Sequence, residues 1–132
     1  MGCDITIRLE RLERHPRICR WVHDPLPRVL QSEIERRCYP LFCEMCDGVR
    51  GSSETAISPA RGVPGDASIQ VRDEAASGLV GAHTWSWLSL RELAEHEWPE
   101  EVSWHPFATF VRWLRDSGVP LDGVRFVFWF DS

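Results

Sequence analysis

Val124-Arg125-Phe126-Val127-Phe128-Trp129-Phe130 contains the longest uninterrupted aliphatic and aromatic run of the chain, from Phe126 onward, and Arg125 is its single charge. A strand this apolar on both alternations is covered on both faces and therefore central in its sheet. It needs neighbours, and the best one lies at the other end of the chain. From Asp4 the order alternates, with Ile5, Ile7 and Leu9 on one face and Thr6, Arg8 and Glu10 on the other, the pattern of a half-buried strand. Ile18 to Val22 reads as its hairpin partner, ended by Pro25 and Pro27.

Between these ends the signals are mostly helical. Val29 to Cys38 does not decide between helix and strand, whereas Leu41, Phe42 and Met45 suit a short helix within Tyr39 to Asp47 that Gly48 can end. Gly51 to Gly65 is rich in Ser, Pro, Ala and Gly and reads as a long surface loop. Asp66 is placed to cap a helix running to about Ser77, with Gly78 and Gly81 at its exit. Ser89 and Glu92 have capping-box spacing ahead of a helix over Leu90 to Glu97. Pro106 opens another, whose stripe is Phe107, Phe110, Val111 and Leu114 and whose end is Gly118. The expected fold is α+β in a single domain spanning 1–132: a small antiparallel sheet with first and last strands paired, helices packed on it, and one long central loop.

Composition narrows function by exclusion. The 132 residues carry a formal charge of −5, which gives phosphate backbones no net attraction, and the basic residues are scattered along the sequence. No run approaches the roughly 20 apolar residues of a membrane span, and no secretory signal is visible. The five Cys suit reduced thiols in a cytoplasm better than a disulfide framework. All 15 basic residues are Arg, which fits genomic base composition. Seven Trp are too many to hide in so small a domain, so some indole faces should remain exposed, as at protein-binding hot spots.

Specific motifs are weak. Met1-Gly2-Cys3-Asp4-Ile5-Thr6 matches a myristoylation pattern but reads as the entry to a core strand. Cys38, Cys43 and Cys46 stand at C-x4-C-x2-C without a downstream fourth Cys, and read as small apolar residues on a packed face, so no metal or other cofactor is expected. His83 lies near Ser86, yet proximity in sequence does not activate a nucleophile.

Several segments together resemble a known family. These are Gly2-Cys3-Asp4-Ile5 with Glu10, Tyr39-Pro40-Leu41-Phe42 leading to Gly48-Val49-Arg50, Arg61 to Ser68, His83 with Ser86-Trp87-Leu88 and Leu90, and Val124 to Asp131. In that order they resemble small uncharacterised phage and prophage proteins that begin Met-Gly-Cys-Asp-Ile-His and end Val-Arg-Val-Val-Phe-Trp-Phe-Asp. The resemblance implies a phage origin and brings no activity with it. Thr6 stands where the family has His, and His83-Thr84-Trp85-Ser86-Trp87 where it has His-Ser-His-Ser-Trp, so two of its three imidazoles are absent. Thr and Trp can neither shuttle protons nor bind metal as His does.

The expected function is therefore that of a phage-derived accessory protein that binds a host protein or protein complex without catalysis, an anti-CRISPR-like inhibitor of a bacterial defence complex, with no direct nucleic acid and no membrane contact. Glu95, Glu97, Glu100 and Glu101, flanked by Trp98 and Trp104, together with Arg50 and Arg61 of the central loop, are its expected contacts. The rival expectation is a small-molecule pocket built from Asp4, Glu10, Arg50, His83, Ser86 and Arg125, as a nucleotide sponge or a degenerate metal-dependent hydrolase, with Arg holding phosphate and Trp stacking a base.

Overall fold

The computed structural model describes residues 2–49, 54–77 and 81–132. Their order is β1 (Asp4–Arg14), β2 (Cys19–Asp24), α1 (Arg28–Glu35), α2 (Tyr39–Met45), α3 (Ile69–Ala76), β3 (Ala82–Ser89), α4 (Leu90–Glu95), α5 (Glu100–Ser103), α6 (Pro106–Asp116) and β4 (Val124–Asp131). The four strands form one antiparallel sheet in the order β2-β1-β4-β3. The first and last strands pair as expected, and β4 is interior.

Pleating divides β4 between two covers. Val124, Phe126, Phe128 and Phe130 face the main core, opposite Leu9, Ile7 and Ile5 of β1, where α1, α2, α4, α5 and α6 supply Leu30, Ile34, Phe42, Leu93, Val102, Phe107 and Val111. Val127 and Trp129 face the other way, onto Ala67 and onto Val71 and Ala75 of α3, with Trp85 and Trp87 alongside. Every residue from Val124 to Phe130 is buried, because each alternation has its own lid.

Three local expectations change. Of Val29 to Cys38, which the sequence leaves undecided, residues 29–35 belong to the helix α1, which buries Leu30 and Ile34 one turn apart, and residues 36–38 lie beyond its end. The cap of α3 is Ser68, whose hydroxyl accepts from the Val71 N–H; Asp66 does not cap because its carboxylate is turned to Arg125. The middle of the chain also holds a strand, β3, as well as helices. Its alternation is broken between His83 and Ser86, where Thr84 takes a left-handed φ of 58°. Such a bulge interrupts the period by which a strand is recognised. Gly81, at φ 108°, immediately precedes β3, where an added Cβ would stand 2.7 Å from the Ser132 backbone oxygen, so only glycine lets the two chain segments approach.

The described part of the central loop is pinned: Ile57 N–H bonds to Glu44 O, Gly62 N–H to Trp85 O, and Ser58 and Pro64 are buried. Ser89 and Glu92 form the expected capping box, although α4 ends at Glu95 and not Glu97. No helix of the described residues is long and apolar enough to cross a membrane.

α6 starts at Pro106 with His105 as its N-cap, and His105 Nδ1 accepts the Phe107 N–H at 3.0 Å. The ring must be neutral to accept there, and burial holds its pKa below the usual 6.5. The unfolded chain then binds the proton more readily, so stability is complete above pH 6.5 and is lost as pH falls from there through the lower folded value. Urea unfolding at about pH 7.5 and about pH 5 should show a loss that shrinks in His105→Asn, which caps without titrating; an unchanged loss would assign it to other groups.

Candidate functional site

The charge that interrupts β4 finds its partner directly across the sheet, where Glu10 stands opposite Arg125. Arg125 donates its Nε–H to Glu10 Oε1 at 2.7 Å and its Nη1–H to Asp66 Oδ1 at 2.9 Å. The second oxygen of Glu10 accepts the Ser68 N–H at 2.7 Å, at the entrance to α3. The Glu10 side chain is fully buried and that of Arg125 is 5 % exposed, whereas Asp66 is 69 % exposed. The guanidinium lies 3.9 Å from the Trp21 ring centroid and 5.8 Å from that of Trp87. On Trp87 the Arg61 guanidinium also rests, at 4.7 Å. Trp21, Arg125, Trp87 and Arg61 thus form a row of alternating indoles and cations, an arrangement favoured by the negative ring face.

Beside this row is an open cleft of about 460 Å³, lined among others by Trp21, Asp66, Trp87, Asp122 and Arg125. Among the described residues Arg125 Nη2 has no hydrogen-bond partner. One guanidinium against the carboxylates of Glu10 and Asp66 leaves the centre net negative, which opposes a phosphate. Both oxygens of Glu10 are engaged and its side chain is fully buried, so it is not presented to a substrate for proton abstraction.

The other members of the six-residue pocket expected from sequence are dispersed. Asp4 lies six residues from Glu10 along β1, about 20 Å at strand rise, opposite Asp131 and bonded to Arg37 at 2.7 Å, whose charge holds the Asp4 carboxyl below its usual range. The ring nitrogens of His83 meet Thr84 Oγ1 at 2.9 Å and Ser132 Oγ at 2.8 Å. Ser86 Oγ accepts the Arg61 N–H instead. Arg50 lies outside the described residues. Glu10 and Arg125 alone among the described members come together, joined by Trp21, Asp66, Ser68 and Trp87, which were not expected there. A lone Arg in an apolar strand and a lone Glu on the polar alternation of its partner were the available signal.

The expected contact surface fares differently residue by residue. Arg61 is committed within the fold: it donates to Glu92 Oε1 at 2.8 Å and to the Trp87 carbonyl at 3.1 Å, and holds the Glu92 carboxyl below its usual range. Trp98 is half-buried, donating Nε1–H to Leu93 O at 3.2 Å with its ring against His96. Glu95 pairs with Arg91. Glu97, Glu100 and Glu101 are exposed and carry no ion pair among the described residues. Trp104 is 68 % exposed, and Trp113, stacked on Phe110, is 61 % exposed. Cys46 is buried in the main core, where desolvation pushes its thiol up, and among the described residues no three His, Cys, Asp or Glu stand close enough to hold a metal ion.

No family model, no curated protein and no solved structure matches this chain.

The buried pair gives a stability test. Glu10→Gln leaves the Arg125 charge without its full partner and should cost about 3–5 kcal/mol in urea unfolding. The double replacement Glu10→Leu with Arg125→Met should cost less than the sum of the two single changes, because no buried charge then remains. A loss below about 1 kcal/mol for Glu10→Gln would mean that the pair contributes little.

Proposed function

We propose that the chain is a phage-derived accessory protein that binds a host macromolecule without catalysis and inhibits a bacterial defence complex, docking on a basic protein surface. The observation that supports this is the surface of α5 and α6. Three carboxylates with no ion partner among the described residues, Glu97, Glu100 and Glu101, belong to the same stretch of chain as the exposed Trp104, with Trp113 on the following helix. Exposed indoles are the commonest anchors of protein interfaces. Unpaired carboxylates add long-range steering toward positive charge and cost no internal ion pair when they engage. A nucleic-acid-handling complex presents such a positive groove, and the carboxylates can compete there with phosphate.

A second reading, a small-molecule protein, retains one supporting observation, the cleft at Arg125 with its unpartnered Nη2. It would take a neutral oxygen acceptor more readily than a nucleotide phosphate, given the carboxylates of Glu10 and Asp66.

The readings separate in one set of measurements on a purified nucleic-acid-binding defence effector. The wild-type chain should reduce target-DNA binding in fluorescence anisotropy. Replacing Glu97, Glu100 and Glu101 together by Gln should weaken this about tenfold at low ionic strength, and the difference should shrink as salt rises. Trp104→Ala should cost about 2 kcal/mol of binding. Inhibition indifferent to both changes would reject the surface, and a rise in melting temperature with nucleosides that Arg125→Ala abolishes would favour the cleft.

A further inference from the structure

We infer that β2 is the dimerisation edge of this protein, pairing antiparallel with β2 of a second copy about a two-fold axis at Val22. The sheet has two edges, and they are treated differently. Along β3 the Gly62 N–H bonds to the Trp85 carbonyl and the Arg61 guanidinium to the Trp87 carbonyl, so that edge is closed. β2 pairs with β1 alone. His15 and Ile18 exchange both backbone bonds at the hairpin turn, and antiparallel ladders alternate strictly from such a pair. Arg20, Val22 and Asp24 therefore turn their backbone groups toward β1, while Cys19, Trp21 and His23 turn theirs outward, with no partner among the described residues.

Second, α3 stands off from this edge: a hollow of about 290 Å³ separates Trp21 and Val22 from Ser68 and Ile69 at the entrance to α3, and Ile69 is 71 % exposed. Open edges are normally blunted by charged side chains, prolines or bulges, whereas the two charges of β2, Arg20 and Asp24, are opposite in sign and so compatible with self-pairing.

Third, the side chains select both the occupant and the register. With the axis at Val22, Val22 meets its own copy and Trp21 lies across from the imidazole at position 23; Arg20, 3.3 Å from Glu13 of its own chain, faces the partner copy's acidic position 24 twice over, and Asp24, held by Arg11 at 2.9 Å, would extend that pair into a network across the axis. Opposite charges and aromatic pairs stabilise such cross-strand positions. Moving the axis to Arg20 would set two guanidinium groups against each other, which is unfavourable. Trp21 and His23 each exchange both backbone bonds with the other copy, and Pro25 ends the ladder because it lacks an N–H. The arrangement is isologous, as closed two-fold dimers require. It uses none of the residues of the acidic and aromatic surface, so it stands or falls independently of the proposed function.

Sedimentation equilibrium on the full chain should return twice the 15.2 kDa chain mass in a concentration-dependent equilibrium. Arg20→Asp should give a monomer with unchanged far-ultraviolet circular dichroism, and Arg20→Asp combined with Asp24→Arg should restore the dimer. In a Cys19→Ser background, Val22→Cys treated with oxidised glutathione should form an intermolecular disulfide, since residues facing across the axis stand within disulfide reach. A monomer at every concentration, a dimer indifferent to Arg20→Asp, or a dimer that Val22→Cys does not lock would each overturn the inference. So would a monomer whose β2 edge captures an extended segment of another protein.

Discussion

Placing one guanidinium inside a sheet covered on both faces is the constraint around which half of this molecule is arranged. Arg125 is destabilising in that environment without partners, because desolvation of an unpaired ion costs several kcal/mol. Its partners come from three separate places in the sequence: Glu10 from the first strand, Asp66 from the end of the central loop, and the ring of Trp21 from the hairpin. Glu10 then passes the constraint on, since its second oxygen takes the Ser68 N–H and fixes where α3 begins. The lid over Val127 and Trp129 is thus held at its start by an ion pair and along its length by Val71 and Ala75.

The far end of the same lid repeats the device in a cheaper form. Arg8, on the same alternation of β1 as Glu10, reaches Glu74 of α3 through both Nε and Nη2, at 2.7 and 2.6 Å. That pair is partly exposed, so its contribution is small. Its geometry nonetheless means that α3 is tied to β1 at both ends, and its small hydrophobic area, chiefly Ala67, Val71 and Ala75, suffices. The main core needs no such ties, because five helices bring large aliphatic and aromatic side chains to the opposite alternation.

This division explains what could be read from the sequence and what could not. β1, β4, α4 and α6 follow from short-range signals: alternation, an apolar run, a capping box and a proline ahead of an apolar stripe. Their first and last partnership follows from β4 needing two neighbours. β3 escaped because the Thr84 bulge breaks its period within three residues. The cap of α3 was misassigned because a carboxylate suited to capping had a stronger partner 59 residues away. The polar centre was half legible: Arg125 stands out as the single charge of an apolar strand and Glu10 as the one Glu on the polar alternation of its neighbour, but register alone decides that Asp4 faces Asp131 and not Arg125. Trp21 and Trp87 could not be assigned, since their roles depend on a hairpin and a loop meeting over one guanidinium.

The scattered arginines have the same lesson in reverse. Arg8, Arg11, Arg20, Arg36, Arg37, Arg61, Arg91, Arg115 and Arg125 each reach a carboxylate, so nine of the 15 positive charges have a partner within the chain. The acidic excess is thereby free to concentrate at Glu97, Glu100 and Glu101, on elements that share no residue with β2. Pairing through β2 would leave that surface untouched and present it twice. Two copies on one scaffold convert a second contact into an intramolecular event, raising avidity without any new chemistry. For the proposed surface of a few indoles and carboxylates, such duplication would strengthen a hold that one copy of it makes weakly.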